Sequence, residues 1–553
     1  MKLYNKLFLM AIGCATLNSC SDMDNIDSEG FRITDGQIED TNELIPSRVE
    51  SSLVGMYHYM GTQYAGAPTN ERDDDFGYPT ACISQDLNGA DMVCDNSGYN
   101  WFSVSGDYSD RNETYANPQL RYSYFYNQLK LANDILASVD QNTEDEKLKQ
   151  YIGEAKAVRA FDYLCLAPYY QFNYASSKDL PCVPLVTEAT TEFNNNPRAT
   201  VEQIYTQIMN DLNDAIDKLE NYDRKGDKTR IDKQVAYGLR ARANLYMGNW
   251  AEAANDASKA MEGYTPYSRE EVSQPAFYNL NDHNWMWGIS ITASDVTKNG
   301  GNPSWPSHLG SFSGASYAAA VGVYKRINTL LYNVIPETDI RKQWWVDEDL
   351  HSDLLNGQVW GEASGQDIPT YTITDVKMAY VPYTNVKFGM KSGIGSATND
   401  CDWCIMRVEE MMLIEAEGLA MSNQEGEAKS KLEAFVKNYR DPSYTCTAST
   451  KEALQDEIWK QRRIELWGEG FAMADIMRLN KPVVRFHGTD KGNWPDAFCF
   501  NIEANDPYLL LRIPQKESNN NAGIVNNAGG TKPISLQNPN LKDGVTDLSL
   551  IHI

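Results

Sequence analysis

Residues 201–264, VEQIYTQIMNDLNDAIDKLENYDRKGDKTRIDKQVAYGLRARANLYMGNWAEAANDASKAMEGY, decide the fold. The opening places Val201, Ile204, Tyr205, Ile208, Leu212, Ala215, Ile216 and Leu219 at steps of three and four, one face of a helix. Thr200 and Gln203 form a capping-box start for it. A charged, glycine-containing break spans Arg224–Asp232. Two further helices then follow around a tight Gly248-Asn249 turn. In the second, Ala253, Ala257 and Ala260 are small enough to let a partner helix approach closely. Such a pair cannot bury its apolar face alone, so neighbouring helices are expected.

The turn glycine, Trp250 two residues on and the alanine spacing resemble a diverged tetratricopeptide unit. Outward from it, the period extends in both directions. Pro46–Gln63 reads as a helix with Val49, Leu53, Met56 and Tyr57 on one face, and residues 64–118 read as irregular. Helices return over Gln119–Val139 and Gln150–Ala167, where Pro168 predicts a stop. From Thr265 to Asp402 the helical period lapses into Gly, Ser, Asn and Pro turns. Trp285, Trp287, Trp305, Trp344, Trp345 and Trp360 lie there, half of the twelve tryptophans. Loops this long in a compact protein are usually functional. Helices resume at Trp403–Ser422 and continue through Leu479. The expected fold is mainly α: a tetratricopeptide-like scaffold with long loops and a few short strands.

The N-terminus carries an address. Lys2 and Lys6 precede an apolar run from Leu7 to Leu17, too short to cross a bilayer and typical of a secretory signal. Leu17-Asn18-Ser19-Cys20 resembles the lipobox of bacterial lipoproteins, which predicts a signal peptide at 1–19 and lipid on Cys20. Asn18 is an unusual residue there, and Cys14 is the rival site. Acidic Asp22 and Asp24 resemble the surface-export signal of Bacteroidetes lipoproteins. Past Cys20 no apolar run approaches the roughly 20 residues of a membrane helix, so a soluble body held by acyl chains is expected. The formal charge of −27 argues against nucleic acid and against electrostatic adhesion to anionic membranes.

Catalytic signatures are missing from the sequence: there is no GxSxG, HExxH or P-loop. The six histidines fall at no metal-ligand spacing. Cys401-x-x-Cys404 lacks a second pair, and ten cysteines do not make a disulfide scaffold, although Cys82 with Cys94 and Cys165 with Cys182 could pair. Glu71–Asp75 offers hard oxygens for calcium, but an acidic run is usually a solvated loop. Arg462, Glu465, Glu469, Asp475 and Arg478 read as helix ion pairs rather than chemistry. No enzyme, metal or cofactor is expected.

Five blocks in order resemble the SusD/RagB family: GEAKAVRAFDYLCLAPYY (153–170), the 201–264 stretch, RVEEMMLIEAEGLA (407–420), EIWKQRRIELWGEGFAMADIMRL (457–479) and LLLRIPQKESNNNAGI (509–524). Gln461 stands where that family commonly has Glu. The chain then divides into a SusD-like N-terminal region, 20–264, and a RagB/SusD C-terminal region, 265–553, that carries the ligand side. The resemblance implies non-catalytic oligosaccharide capture at the outer membrane, facing the exterior, with a SusC-like TonB-dependent transporter as partner. Peptide uptake of the RagB type, or a repeat scaffold that binds only protein, are the alternatives. Aromatic rings for sugar C–H faces and amides for hydroxyls occur together in Tyr99-Asn100-Trp101, in Trp285 and Trp287, and at Trp305. These are the candidate ligand-binding residues.

Overall fold

The computed structural model describes residues 35–63, 72–97, 101–296, 301–360, 366–367, 380–529 and 532–547. The signal segment, Cys20, Tyr99 and Asn100 lie outside them. Helices α1 (Asp35–Leu44) and α2 (Ser47–Tyr59) lead in, and Val49, Leu53, Met56 and Tyr57 of α2 are buried, the face the periodicity predicts. Next come α3 (Tyr78–Asn88), α4 (Ala116–Ala137), α5 (Glu146–Tyr170), α6 (Val201–Lys218), α7 (Lys233–Met247) and α8 (Trp250–Ala260). After the long central segment follow α9 (Val408–Met421), α10 (Glu425–Tyr439), α11 (Lys451–Glu465), α12 (Ala472–Arg478) and α13 (Gln515–Asn520). Packing runs from neighbour to neighbour: α4 on α5, α5 on α6, α6 on α7, α7 on α8, α8 on α9, and α9 on both α10 and α11. This is the tetratricopeptide-like helical scaffold.

Local chemistry sets the boundaries. Thr200 and Gln203 form the capping box that opens α6. Gly248 closes α7 in the left-handed conformation, at φ 78°, which glycine adopts without a Cβ clash. The alanine face of α8 does let a partner close in: Gly418 of α9 sits so near that an added Cβ would lie 2.5 Å from the Trp250 carbonyl oxygen.

Three expectations are corrected. The helix expected from Trp403 begins at Val408, because Trp403–Arg407 is a strand. The segment 64–118 contains α3, whose eleven residues are all buried. A helix covered on every side shows no apolar-polar period, which is why its pattern is silent. Helix α5 also runs past Pro168 to Tyr170, because a proline in the last turn forfeits only one intrahelical bond.

Strands are short and pair antiparallel: β1 (Met92–Val93) with β5 (Arg326–Ile327), β2 (Pro181–Pro184) with β3 (Arg198–Thr200), β4 (Trp285–Ile289) with β8 (Trp403–Arg407), and β6 (Val359–Trp360) with β7 (Gln366–Asp367). The β4–β8 ladder runs through the main core, with all five β4 residues buried.

The conspicuous charges of 457–479 are structural, as the helix spacing predicts, but they mostly bind other elements. Arg462 and Arg478 both donate to Asp475, and Arg478 reaches Glu417 on α9. Glu465 accepts from Arg407 and Arg440 at 2.8 Å, and Glu469 from Arg407 and Lys387. Burial opposes ionisation of Glu465, but the Arg440 and Arg407 guanidiniums outweigh it and hold the carboxyl well below the usual range. Gln461 is not idle: its carbonyl accepts from Arg341 at 2.5 Å. The eight described cysteines are free thiols, so neither Cys82 with Cys94 nor Cys165 with Cys182 is bridged.

Candidate ligand-binding site

A cleft of about 230 Å³ opens where the N-terminal and central segments meet. One wall is the turn after α2, with Gly61, Thr62 and Gln63; Phe76 and Pro79 sit at the head of α3. Opposite stand Ile291, Ser294, Asp295, Val296 and the turn entering Trp305. Gly77 makes the crossing possible. Its φ is +80°, and a Cβ there would lie 2.3 Å from the Met60 carbonyl oxygen, the acceptor for Tyr78 N–H.

Trp305 forms the floor. It is 1 % exposed, donates from Nε1 to the Cys401 carbonyl at 2.8 Å, and packs edge-on against Phe388 and Trp403. Behind the floor, His308 stacks between Phe76 and Tyr317, with Phe102 edge-on. Burial, reinforced by nearby Lys325, pushes the His308 imidazole down to about 3, so it is a neutral ring in an aromatic stack. These rings tie the 72–102 and 301–317 segments together. Phe76 and Phe102 meet His308 across more than two hundred residues of chain, so sequence reasoning missed Phe76, Phe102, His308 and Tyr317. Asp295 is set by Thr292, whose N–H and hydroxyl both donate to it.

Trp101 lies close by along the same N-terminal segment and is half-buried. The Arg72 guanidinium covers its ring at 4.8 Å and is clamped by Asp74 at 2.8 and 2.9 Å. Asn117 donates to the same carboxylate, and Gln63 of the cleft wall donates to the Arg72 carbonyl. The acidic run 71–75 is therefore occupied by an arginine at Asp74.

Trp285 and Trp287 are placed differently from the expectation. Both are fully buried on β4, Trp287 edge-on to Phe161 with its Nε1 donating to the Thr229 carbonyl. Neither presents a ring face to a ligand. Flanking Asn and Asp residues gave that stretch the look of a polar loop, whereas pairing with β8 draws it into the core. The site thus unites Trp305 with neighbours of Trp101, and leaves Trp285 and Trp287 as core residues.

A tetratricopeptide-like scaffold with a loop-built aromatic and carboxylate cleft defines a class of binding protein. A family model described as "Starch-binding associating with outer membrane" matches residues 53–245, and one described as "SusD family" matches residues 297–529. The chain belongs to the SusD/RagB family, a family of carbohydrate-binding proteins. It is 20% identical over 434 residues to SusD-like protein P38 of Formosa agariphila, covering 71% of this chain and 79% of that one. A SusD-like carbohydrate binding protein from Bacteroides vulgatus superposes with a TM-score of 0.69 at 24% identity, covering 90% of this chain and 98% of the other. A laminarin-binding SusD-like protein superposes with a TM-score of 0.60 at 21% identity, over 88% and 99% of the two chains.

Proposed function

We propose that the chain is a non-catalytic, lipid-anchored receptor at the cell exterior that captures an oligosaccharide and passes it to a SusC-like TonB-dependent transporter. The observation that carries the reading is the cleft at Trp305, flanked by Trp101. It combines apolar side-chain surface at Phe76, Ile291 and Val296 with the Gln63 amide and the Asp295 carboxylate, the mixture that sugar C–H faces and hydroxyls require. Membership of a carbohydrate-binding family supports it, as does the laminarin-binding neighbour. Cys20 in its lipobox-like setting is the proposed anchor.

Calorimetry against a panel of glucans and host glycans tests the capture step. Trp101→Ala and Asp295→Ala are expected to weaken binding about five- to tenfold, roughly 1 kcal/mol per lost partner. Circular dichroism confirms the fold of each variant. Binding unchanged in both would move the site elsewhere, and binding of peptides but no glycan would favour RagB-type peptide uptake. Cys20→Ala should release the protein from the membrane fraction; an unmodified mature N-terminus beginning elsewhere would remove the anchor.

A further inference from the structure

A second and larger cavity lies away from the cleft, on different elements. It encloses about 460 Å³ between the C-terminal half of α4, the loop after β2 and the segment around α13. Its wall explains a motif that the cleft does not use. Ile513-Pro514-x-x-Glu517-x-x-x-Asn521 places Glu517 and Asn521 one helical turn apart, and Asn521 donates to Glu517 at 3.1 Å. The Asn521 side chain also accepts from Asn196 N–H at 2.9 Å and donates to the Asn196 carbonyl at 2.8 Å, gripping that loop's backbone on both sides. Gly523 lets the two segments touch, since a Cβ there would lie 2.8 Å from Pro197 N.

The remaining walls are fixed in the same manner. The Tyr126 hydroxyl donates to the Pro184 carbonyl at 2.6 Å, Asn196 donates to the Leu185 carbonyl, and Asn133 bridges Arg159 and the Val186 carbonyl. The cavity is preformed, which lowers the ordering cost of occupying it. Inside this frame stand two rings, Tyr126 and Phe193, two amides, Asn194 and Asn520, and two carboxylates, Glu188 and Glu517. Phe193 lines the cavity and is 55 % exposed, so its phenyl surface is available to an occupant. Asn194 is held by its backbone: its N–H donates to Glu192 and its carbonyl accepts from Ala522. Among the described residues its carboxamide has no protein partner. Glu188 is neutralised by Arg159, and Asp134 on the rim by Lys130.

From this geometry we infer a second ligand site that takes a neutral oligosaccharide, seated against Phe193 and hydrogen-bonded by Asn194, Asn520 and Glu517. Glu188 and Asp134 are already paired and the amides disfavour an acyl chain, whereas hydroxyl-rich rings match the amides and the Glu517 carboxylate beside a phenyl face. The site stands on its own residues and does not rest on the cleft.

Hydrogen–deuterium exchange on the mature full-length chain tests it, with maltohexaose, laminarihexaose and xylohexaose at millimolar concentration and a hexapeptide mixture as the contrasting arm. At least one hexasaccharide is expected to protect residues 187–196 and 515–526. Phe193→Ala and Asn194→Ala, both at exposed positions, should weaken that protection about five- to tenfold, while Trp101→Ala leaves it intact. If no hexasaccharide protects these segments, or only the peptides do, the second site is overturned. Protection that survives Phe193→Ala and Asn194→Ala overturns it too. Loss of cleft binding in Trp101→Ala with protection of 187–196 retained keeps the two readings apart.

Discussion

At the scale of single residues, three buried titratable groups are among those that make stability depend on pH. Asp162 on α5 is fully buried, and neither carboxylate oxygen has a hydrogen-bond partner. Burial therefore pushes its carboxyl well above the usual range. Burial also lifts Asp86 to about 7, although the Gly470 and Ala472 N–H groups donate to it. His308 is displaced the other way, down to about 3. Burial thus favours the protonated carboxyl of both aspartates and the neutral ring of His308 in the folded chain. A raised carboxyl contributes stability that is lost as pH rises, whereas the lowered histidine contributes stability that is lost as pH falls. Asp162→Asn removes the Asp162 contribution. We predict that it melts above the parent at pH 7.5, with a gain that shrinks to nothing toward pH 4. Thermal scans across that range check this; a gain independent of pH would mean that Asp162 is ionised in the fold.

Elements carry the part of the fold that was legible. The α6–α8 stretch could be read because its signals are local: a capping box, a left-handed glycine and small residues at steps of four and three. Neither α3 nor β4 could be read, because burial on all sides erases the polar half of the pattern. The same gap misplaced the candidate site. Trp285 and Trp287 had polar neighbours in sequence, but their strand partner β8 lies more than a hundred residues away. The 460 Å³ cavity was equally hidden, since its three walls come from unrelated positions and only the Glu517–Asn521 pair has a sequence signature. Close packing of α8 on α9 makes a prediction at this scale. In an exposed helix Ala outranks Gly by about 1 kcal/mol. In Gly418→Ala, however, the new Cβ would meet α8 backbone, the Trp250 oxygen at 2.5 Å and Ala254 N at 2.8 Å. We expect a net loss of about 1–3 kcal/mol. Gly238→Ala meets Met406 Sδ at 2.4 Å, but a thioether can swing aside, so that variant should be near neutral. Chemical denaturation of both variants decides it, and equal effects would mean that the α8–α9 contact yields more easily than its geometry implies.

At the scale of the molecule, the division at 264/265 read from the sequence cuts through shared structure. One hydrophobic cluster contains Val49, Leu212, Trp287, Met406 and Ile513. Buried ion pairs cross the division as well. Arg242 on α7 donates to Glu410 on α9 at 2.5 and 2.6 Å, and Arg463 on α11 donates to Asp91 at 2.7 and 2.9 Å. Arg485 satisfies the Leu87, Gly89 and Gly106 carbonyls around the end of α3. Removing one partner of a buried pair costs about 3–5 kcal/mol because the other charge is left without compensation. Separating the halves would do this at Arg242 and at Asp91 together, and would bare the alanine face of α8. Net stabilities of domains are only about 5–15 kcal/mol, so neither half can absorb such losses. Expressed alone, residues 20–264 and 265–553 should each fail to show a cooperative thermal transition, and the intact body should melt in a single calorimetric endotherm. Coexpression of the halves should restore a soluble complex. A cooperative transition with native-like circular dichroism from isolated 20–264 would show that the N-terminal helices form a domain of their own, and that the pairs at Arg242 and Asp91 join two bodies rather than build one.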